Sequence, residues 1–246
     1  MSKIGVLQGT ISDSKSFPYA TWKSEFEKVN NLEVDFLDWI VDANPVPTFY
    51  NFLFSSRFKN RIAKNNFKKE IRSVYCECFN EYKLLACDSS EKLYKRISIL
   101  EKIITAAKNN KIEQIIIPIF EEENILTQKQ IDNIVFILRM SLRNIDPESQ
   151  KIVIETNLHV NMILEILHKV DSNNTFLSLP ISYLINLSKK KVSKVKKYLI
   201  NVTIDIENDN CEKIFKFIRD IDFSGHFLIT NHLFLMNKLD FLKKQI

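Results

Sequence analysis

Glycine is scarce in this chain: only three of the 246 residues are glycine, namely Gly5, Gly9 and Gly225. Proteins contain about 7% glycine on average. The Rossmann and P-loop motifs need several closely spaced glycines, because their backbone must approach a phosphate. The scarcity therefore excludes both motifs. It also indicates that loops in which backbone usually crowds a ligand are filled here with side chains.

Histidine and cysteine are also few, with four residues of each. The cysteines contain no CxxC pair and fit a reduced thiol set; Cys76-x-Cys78 is not a usual zinc spacing. No apolar run approaches the roughly 20 residues that a membrane helix needs. The amino terminus lacks the layout of a signal peptide, because its apolar run is short and continues into a strand. We therefore expect a cytoplasmic protein without membrane contact.

The net charge of +5 is mild, and much of it comes from Lys189–Lys197, which holds six lysines in nine residues. We interpret this run as the solvated face of a helix; a phosphate or nucleic-acid contact is the alternative. No arginine or aromatic residue is interleaved with the lysines, so stacking on bases is not supported. Nucleic acid is accordingly not expected as a partner.

Strands and helices alternate along the whole sequence. Short apolar runs predict eight strands: Lys3–Leu7, Val34–Val41, Ile71–Phe79, Gln114–Phe120, Lys151–Leu158, Thr175–Leu179, Leu199–Ile206 and Gly225–Thr230. The segments between them carry apolar residues at helical spacing. Such alternation implies parallel strands with right-handed crossovers. Eight units predict an α/β fold with one domain over residues 1–246, a single (β/α)8 barrel of the usual length of about 250 residues.

The fifth predicted strand ends on a carboxylate, Glu155, after the apolar residues Ile152, Val153 and Ile154. An unpaired carboxylate inside a core costs several kcal/mol. Glu155 can instead lie at the carboxyl end of its strand, where barrels place their chemistry. Glu155 is therefore the first candidate for a site residue.

The order of several segments resembles a known family. KIGVLQGTIS at 3–12, FPYATWKSEFEKVNNLEVDFLDWIVD at 17–42, SVYCECF at 73–79 and KIVIETNL at 151–158 follow one another as in the sugar phosphate isomerase/epimerase proteins, which are xylose-isomerase-like barrels. NCEKIFKFIRDIDFSGHFLIT at 210–230 is similar to their last helix and strand. The resemblance is good up to position 158 and thin between 176 and 206. It implies a TIM barrel of the xylose-isomerase type.

The resemblance also implies a divalent metal (Mn, Co or Zn) held by Glu, Asp, His and Glu on the fifth to eighth strands. Carried over residue by residue, Glu155 matches the first ligand, which also acts as a base. Ser178, Thr203 and Thr230 stand at the other three ligand positions. Hydroxyls are poor ligands for such metals. We therefore expect the metal to be bound weakly or not at all, with Asp205 as the nearest replacement if the alignment slips.

Other polar residues lie near predicted strand ends and complete the candidate site. Glu77, near the end of the third strand, is a candidate second catalytic carboxylate. Asp38, Gln8, His159 and His232 are candidates for binding the substrate. For each of them a structural role, as a paired polar or capping residue, is the alternative. His168 and His226 are expected to be surface or strand-start residues without a role.

Two helix starts carry capping signals. Asp88-x-x-Glu91 and Thr127-x-x-Gln130 have the spacing of a capping box, and each precedes a segment with helical periodicity. The segment Asn44–Asn51 holds two prolines and is predicted to be irregular.

Three functions follow as hypotheses. The first is a divergent sugar phosphate isomerase or epimerase, which moves a proton next to the carbonyl of a small sugar or sugar phosphate at the barrel mouth, with a degraded metal site. The second is a non-catalytic barrel that binds a sugar-like ligand or a partner protein. An endonuclease-IV-like enzyme is the third, and it is set aside because a trinuclear zinc centre needs more histidines than the four present. The sugar, the oligomeric state and the pathway stay open.

Overall fold

Eight parallel strands close into a barrel. In the computed structural model, which describes residues 2–12, 17–18, 20–42, 52–81, 89–121, 126–205 and 211–244, each strand pairs with the next along the chain and β8 pairs with β1. The predicted (β/α)8 barrel is therefore confirmed. That residues 1–246 form one domain stays a prediction.

The strands are short, as expected for a barrel of this kind. They are β1 (Ile4–Leu7), β2 (Phe36–Ile40), β3 (Glu70–Tyr75), β4 (Gln114–Ile119), β5 (Lys151–Thr156), β6 (Thr175–Pro180), β7 (Leu199–Ile204) and β8 (His226–Ile229). The helices are α1 (Trp22–Asn31), α2 (Phe58–Lys64), α3 (Cys78–Glu81), α4 (Ser90–Asn109), α5 (Gln128–Leu142), α6 (Val160–Val170), α7 (Ile181–Leu184), α8 (Lys189–Val195), α9 (Cys211–Asp220) and α10 (His232–Lys243). Every predicted strand overlaps an observed one.

The core lies mainly between the strands and the surrounding helices. Trp39 in β2 is fully buried and its ring contacts Phe26 in α1 and Phe58 in α2. Because successive side chains of a strand point to opposite faces, the neighbouring Asp38 faces the barrel interior. The same alternation assigns one inward face to each strand. These inward faces carry several buried polar residues, among them Asp38, Glu155 and Thr203.

The predicted capping residue is found at the start of α5, whereas the start of α4 is capped by the residue after the predicted one. The Thr127 side chain accepts a hydrogen bond from the Gln130 amide, and the Gln130 side chain accepts from the Thr127 amide, so the predicted capping box is present. For α4 the cap is Ser89, whose side chain accepts from Lys92 N, rather than the predicted Asp88. Asp88 lies outside the described residues, as does the irregular segment predicted at 44–51.

The third strand is shorter than predicted. Residues 71–79 were expected to form a strand, but β3 ends at Tyr75 and Cys78 begins a short helix. Cys78 and Phe79 are both buried. A run of apolar residues alone does not distinguish a strand from a buried helical turn. The turn changes the position of Glu77, which follows the strand instead of lying within it.

The described helices include none that is long and apolar enough to span a bilayer.

Candidate functional site

The inward faces of the strands bring polar residues together inside the barrel. Asp38 pairs in register with Ser73, and Ser73 with Gln114, on β2, β3 and β4. Glu155 pairs with Ser178 on β5 and β6. All five of these residues are buried. The barrel interior therefore holds a polar layer rather than the purely aliphatic filling common in such barrels.

Glu155 lies at the centre of a small hydrogen-bonded cluster. Its side chain is almost completely buried, with 2% of the residue exposed. The Thr203 hydroxyl donates to Glu155 Oε1, and the oxygens of Ser178 and Thr203 lie 3.0 Å apart. The Tyr75 hydroxyl also hydrogen-bonds to the Glu155 carboxyl group. We call these four residues the Glu155 cluster.

The cluster contains a carboxyl group that is difficult to ionise. Burial raises the pKa of Glu155 above its ordinary value, while the hydrogen bonds from Thr203 and Tyr75 lower it in part. The nearby charge of Asp205 raises it further. Burial also raises the pKa of the Tyr75 hydroxyl well above its usual range, so that hydroxyl stays a donor. Three hydroxyls from β3, β6 and β7 thus surround one acid.

Two other residues considered for the ligand set do not reach Glu155 with their hydrogen bonds. The Thr230 hydroxyl donates to the carbonyl of Ile204, 3.2 Å away. Asp205 is exposed, and its carboxylate accepts hydrogen bonds from the backbone amide and the hydroxyl of Ser182 in α7. Asp205 therefore anchors a helix start. It does not replace a missing ligand.

The donor set does not fit the divalent metal that the resemblance implies. Only Glu155 among the four aligned positions offers a charged oxygen, and the hydroxyls of Ser178 and Thr203 are engaged within the cluster. Mn, Co and Zn prefer several carboxylate or imidazole ligands. Within the described ranges, no three His, Cys, Asp or Glu side chains gather in a way that could hold a metal ion. At these positions the Thr203 hydroxyl stabilises Glu155 directly, and Ser178 bonds to Thr203.

Asp38 is a second buried acid on the interior face. It is 1% exposed, and its Oδ1 has no hydrogen-bond partner among the described residues. Burial raises the pKa of Asp38 to about 7, while the neighbouring Ser73 hydroxyl and the charge of Arg72 act in the opposite direction. The charge of Glu155 contributes to the increase. Near neutral pH, Asp38 is therefore divided between its two protonation states.

Gln8 and Glu25 shape the turn that follows β1. Gln8 is fully buried and its Oε1 accepts from the Ile40 amide at 3.2 Å. Glu25 in α1 accepts a 2.6 Å hydrogen bond from the Gly9 amide, where the backbone has a φ of 89°. Burial raises the pKa of Glu25 to about 7, although the amides of Gly9 and Ile11 lower it in part. Gln8 is thus a structural link between β1 and β2.

The remaining predicted site residues, Glu77, His159 and His232, come after the ends of β3, β5 and β8. Glu77 is half-buried, and its Oε2 accepts from Asn80 Nδ2 at 2.9 Å within the turn of α3. His159 is exposed directly before α6, at the carboxyl-terminal end of the barrel. His232 begins α10, and its side chain lies outside the described part of the structure. None of these residues is brought into hydrogen-bond contact with Glu155 in the described structure.

Tyr75 is the member of the Glu155 cluster that the sequence interpretation missed. It follows Ser73 by two residues on β3, so both side chains share the inward face. That alternation was present in the sequence. The predicted third strand reaches Phe79, so Glu77 rather than Tyr75 stands as the polar residue near its end.

The opposite end of the barrel interior carries charges. The Arg72 guanidinium lies over the Phe36 ring at 5.1 Å, and its Nε is 3.8 Å from Glu113. Glu113 makes its closer contact, 2.5 Å, with Lys151. Burial lowers the pKa of His226 to about 4, helped by the nearby positive charge of Arg72. His226 was predicted to have no role, and in the fold it is an uncharged residue at this end.

The overall structure is similar to solved structures of sugar epimerases. D-allulose 3-epimerase from Methylomonas sp. superposes with a TM-score of 0.74 at 13% identity, covering 100% of this chain and 98% of that one. A D-tagatose 3-epimerase-like protein has a TM-score of 0.71 at 15% identity, with 99% and 96% covered. D-psicose 3-epimerase from Clostridium cellulolyticum H10, solved with D-tagatose, has a TM-score of 0.67 at 14% identity, with 92% and 84% covered.

At these identities the likeness establishes the fold, which is the xylose-isomerase-like barrel that the sequence resemblance implied. No protein-family model matches the chain, and no curated protein matches its sequence. The function must therefore be argued from the site itself.

Proposed function

We propose that this chain is a divergent relative of the sugar epimerases that binds a sugar-like ligand at the carboxyl-terminal mouth of its barrel without metal-dependent proton transfer. The observation that carries the proposal is the Glu155 cluster. Its carboxyl group accepts a hydrogen bond from Thr203, and Ser178 bonds in turn to Thr203, so two of the positions where metal ligands would stand belong to one hydroxyl chain that ends on Glu155.

The fold supports a sugar as the ligand. Structural neighbours include D-allulose 3-epimerase, solved with D-allulose, and D-psicose 3-epimerase, solved with D-tagatose. Barrels of this fold bind their ligands at the carboxyl-terminal ends of the strands. His159 is exposed at this end and is available to a ligand there. We therefore assign His159 a ligand-binding role within the proposal.

Binding is tested by calorimetric titration of the purified protein with a panel of ketoses and ketose phosphates, with and without added Mn²⁺. We expect at least one ligand to bind equally well in both conditions. His159→Ala should weaken that binding. The matched control is His168→Ala, since His168 is exposed in the last turn of the same helix. The sugar-binding proposal is contradicted if no compound of the panel binds, or if His159→Ala and His168→Ala weaken binding equally.

Metal dependence is tested by elemental analysis after incubation with Mn²⁺ and removal of the excess. We expect a substoichiometric metal content that does not change in Glu155→Gln. The double variant Ser178→Asp/Thr203→His supplies the ligand types that the resemblance implies, and we expect it to gain metal. A stoichiometric metal in the wild type that Glu155→Gln loses would overturn the metal-free proposal.

Proton transfer by Glu155 without a metal is a second candidate. The raised pKa of Glu155 favours it, because a general base works best when its pKa lies near the operating pH. Its test is exchange of substrate hydrogen with deuterated solvent in the absence of metal. Exchange that disappears in Glu155→Gln would support this candidate over simple binding.

A further inference from the structure

A groove between α8 and α9 lies on the outer surface, away from the barrel interior. It has a cavity volume of about 360 Å³. We call it the lysine groove; the residues that matter for its chemistry are Leu187, Lys189, Val192, Lys196, Phe217 and Ile221. Its floor is apolar, and Leu187 and Phe217 are only partly buried there.

Two lysines of the run, Lys189 and Lys196, line the groove together with Asp220, and the other four lie on the same short helical segment. All six lysines of Lys189–Lys197 are exposed, and the chain as a whole has a net charge of only +5. In the sequence the lysines looked like an ordinary solvated face. The cavity that α8 and α9 line places apolar side chains beside Lys189 and Lys196, which the sequence alone could not show.

Nearby acids neutralise this charge only in part. Lys189 Nζ is 3.8 Å from Asp220, and Lys196 Nζ is 3.7 Å from Asp222. The Lys189 side chain is 93% exposed and that of Asp222 is 99% exposed. Exposed pairs at such distances contribute little to stability. A partner with carboxylates can therefore displace them at little cost.

We propose that the lysine groove docks an amphipathic helix of a partner protein, with glutamate or aspartate side chains on its flanks. Apolar residues at i, i+3, i+4 and i+7 of such a helix would enter the groove, as in other helix-in-groove complexes. Its acidic residues would face the lysines. The seven residues of α8 extend the positive charge over roughly 10 Å, which matches about two turns of a docked helix.

The apolar floor favours a protein segment over nucleic acid. Single-stranded nucleic acid is usually bound by aromatic side chains on which bases stack, together with arginine. Here the lysine run contains neither, and Leu187, Val192 and Ile221 are aliphatic. A continuous phosphate track would also not need an apolar groove. Charge and groove together fit an acidic amphipathic segment.

The experiment is a selection of random 15-residue displayed peptides on the full-length protein, followed by synthesis of the most enriched peptide. We expect enriched peptides to be acidic, with apolar residues spaced by three or four. Binding of the synthetic peptide is measured by fluorescence anisotropy at two salt concentrations. We expect Lys189→Glu/Lys196→Glu and, separately, Phe217→Ser each to weaken binding at least tenfold, and added salt to weaken it as well.

The matched control is Lys95→Glu/Lys129→Glu, which makes the same charge change at exposed lysines on α4 and α5. It should leave peptide binding within about twofold of the wild type. Circular dichroism confirms that each variant is folded. The proposal is wrong if no peptide is enriched or if the enriched peptides have no acidic bias. It is also wrong if the control variant and the groove variants lose peptide binding equally. Tighter binding of single-stranded DNA or phosphatidylserine vesicles at the groove would also overturn it, in favour of those ligands.

Discussion

Asp38→Asn should stabilise the protein increasingly as the pH rises. The pKa of Asp38 is about 7 in the fold against an ordinary value of 3.8, because the carboxyl group is buried. Each pKa step of one corresponds to about 1.4 kcal/mol. Ionised Asp38 therefore costs up to ~4 kcal/mol, which is large beside the total stability of about 5–15 kcal/mol of a typical domain.

The sign follows from the direction of the pKa change. The folded protein binds the Asp38 proton more tightly than the unfolded chain, so the stability that this proton supplies is complete below about pH 4. It is lost as the pH rises through about 7. Asparagine has nearly the same shape and never ionises. The advantage of Asp38→Asn should therefore grow by about 2.5 kcal/mol between about pH 5 and pH 8, while the loss of contacts with Ser73 shifts the stability by a similar amount at both pH values.

The assay is urea unfolding of both proteins at these pH values, with the free energy extrapolated to water. Other buried acids, such as Glu25 and Glu155, are present in both proteins and cancel in the difference. Asp240→Asn is the control, because Asp240 is exposed on α10. The reasoning is refuted if the difference in unfolding free energy between Asp38→Asn and the wild type stays constant with pH or shrinks as the pH rises.

Three further predictions concern the interior. Gly5→Ala places a Cβ in collision with the Phe36 ring. Overpacking of this kind costs about 1–3 kcal/mol, which thermal unfolding can measure. The second substitution Phe36→Leu should restore part of the lost stability. Thr203→Val removes the donor to Glu155, so we expect a loss of about 1–3 kcal/mol in urea unfolding, with Thr203→Ser close to wild type. The wild type should lose stability as the pH falls from about 6.5 through about 4, because the lowered pKa keeps folded His226 neutral while the unfolded chain takes up a proton. His226→Gln should lack this loss.

Each of these predictions has a contradicting outcome. If Gly5→Ala unfolds at the wild-type temperature, β1 and β2 are more widely spaced than described. Equal stability of Thr203→Val and wild type would show that the hydroxyl does not hold Glu155. For His226, parallel acid-unfolding curves of wild type and His226→Gln would show that the histidine is protonated in the folded state.

The fold could be predicted from the sequence because its signals are local. Apolar runs such as Gln114–Ile119 and capping residues such as Thr127 act within a few neighbouring residues, and their alternation specifies parallel strands. Eight such units then specify the closed barrel, which the structure confirms. The end of β3 could not be predicted, because the apolar residues Cys78 and Phe79 are compatible with both a strand and a helical turn.

The site could be predicted only in part, because its members lie far apart in the sequence. Glu155 was identifiable as a carboxylate at a strand end, and Ser178 and Thr203 as the residues aligned with it. Only the closed barrel shows that the two hydroxyls bond to each other and that Thr203 donates to Glu155, which is 48 residues away in the sequence. The contribution of Tyr75 depends on the register between strands.

Local sequence determined which segments form strands and helices, since backbone preferences and apolar spacing act over short distances. The tertiary structure decided what Glu155 and Asp38 do, because their environment consists of residues from other strands. Burial by those residues makes both acids hard to ionise. The same applies to the lysine groove: its lysines are contiguous in the sequence, but its apolar floor exists only where α9 packs against α8.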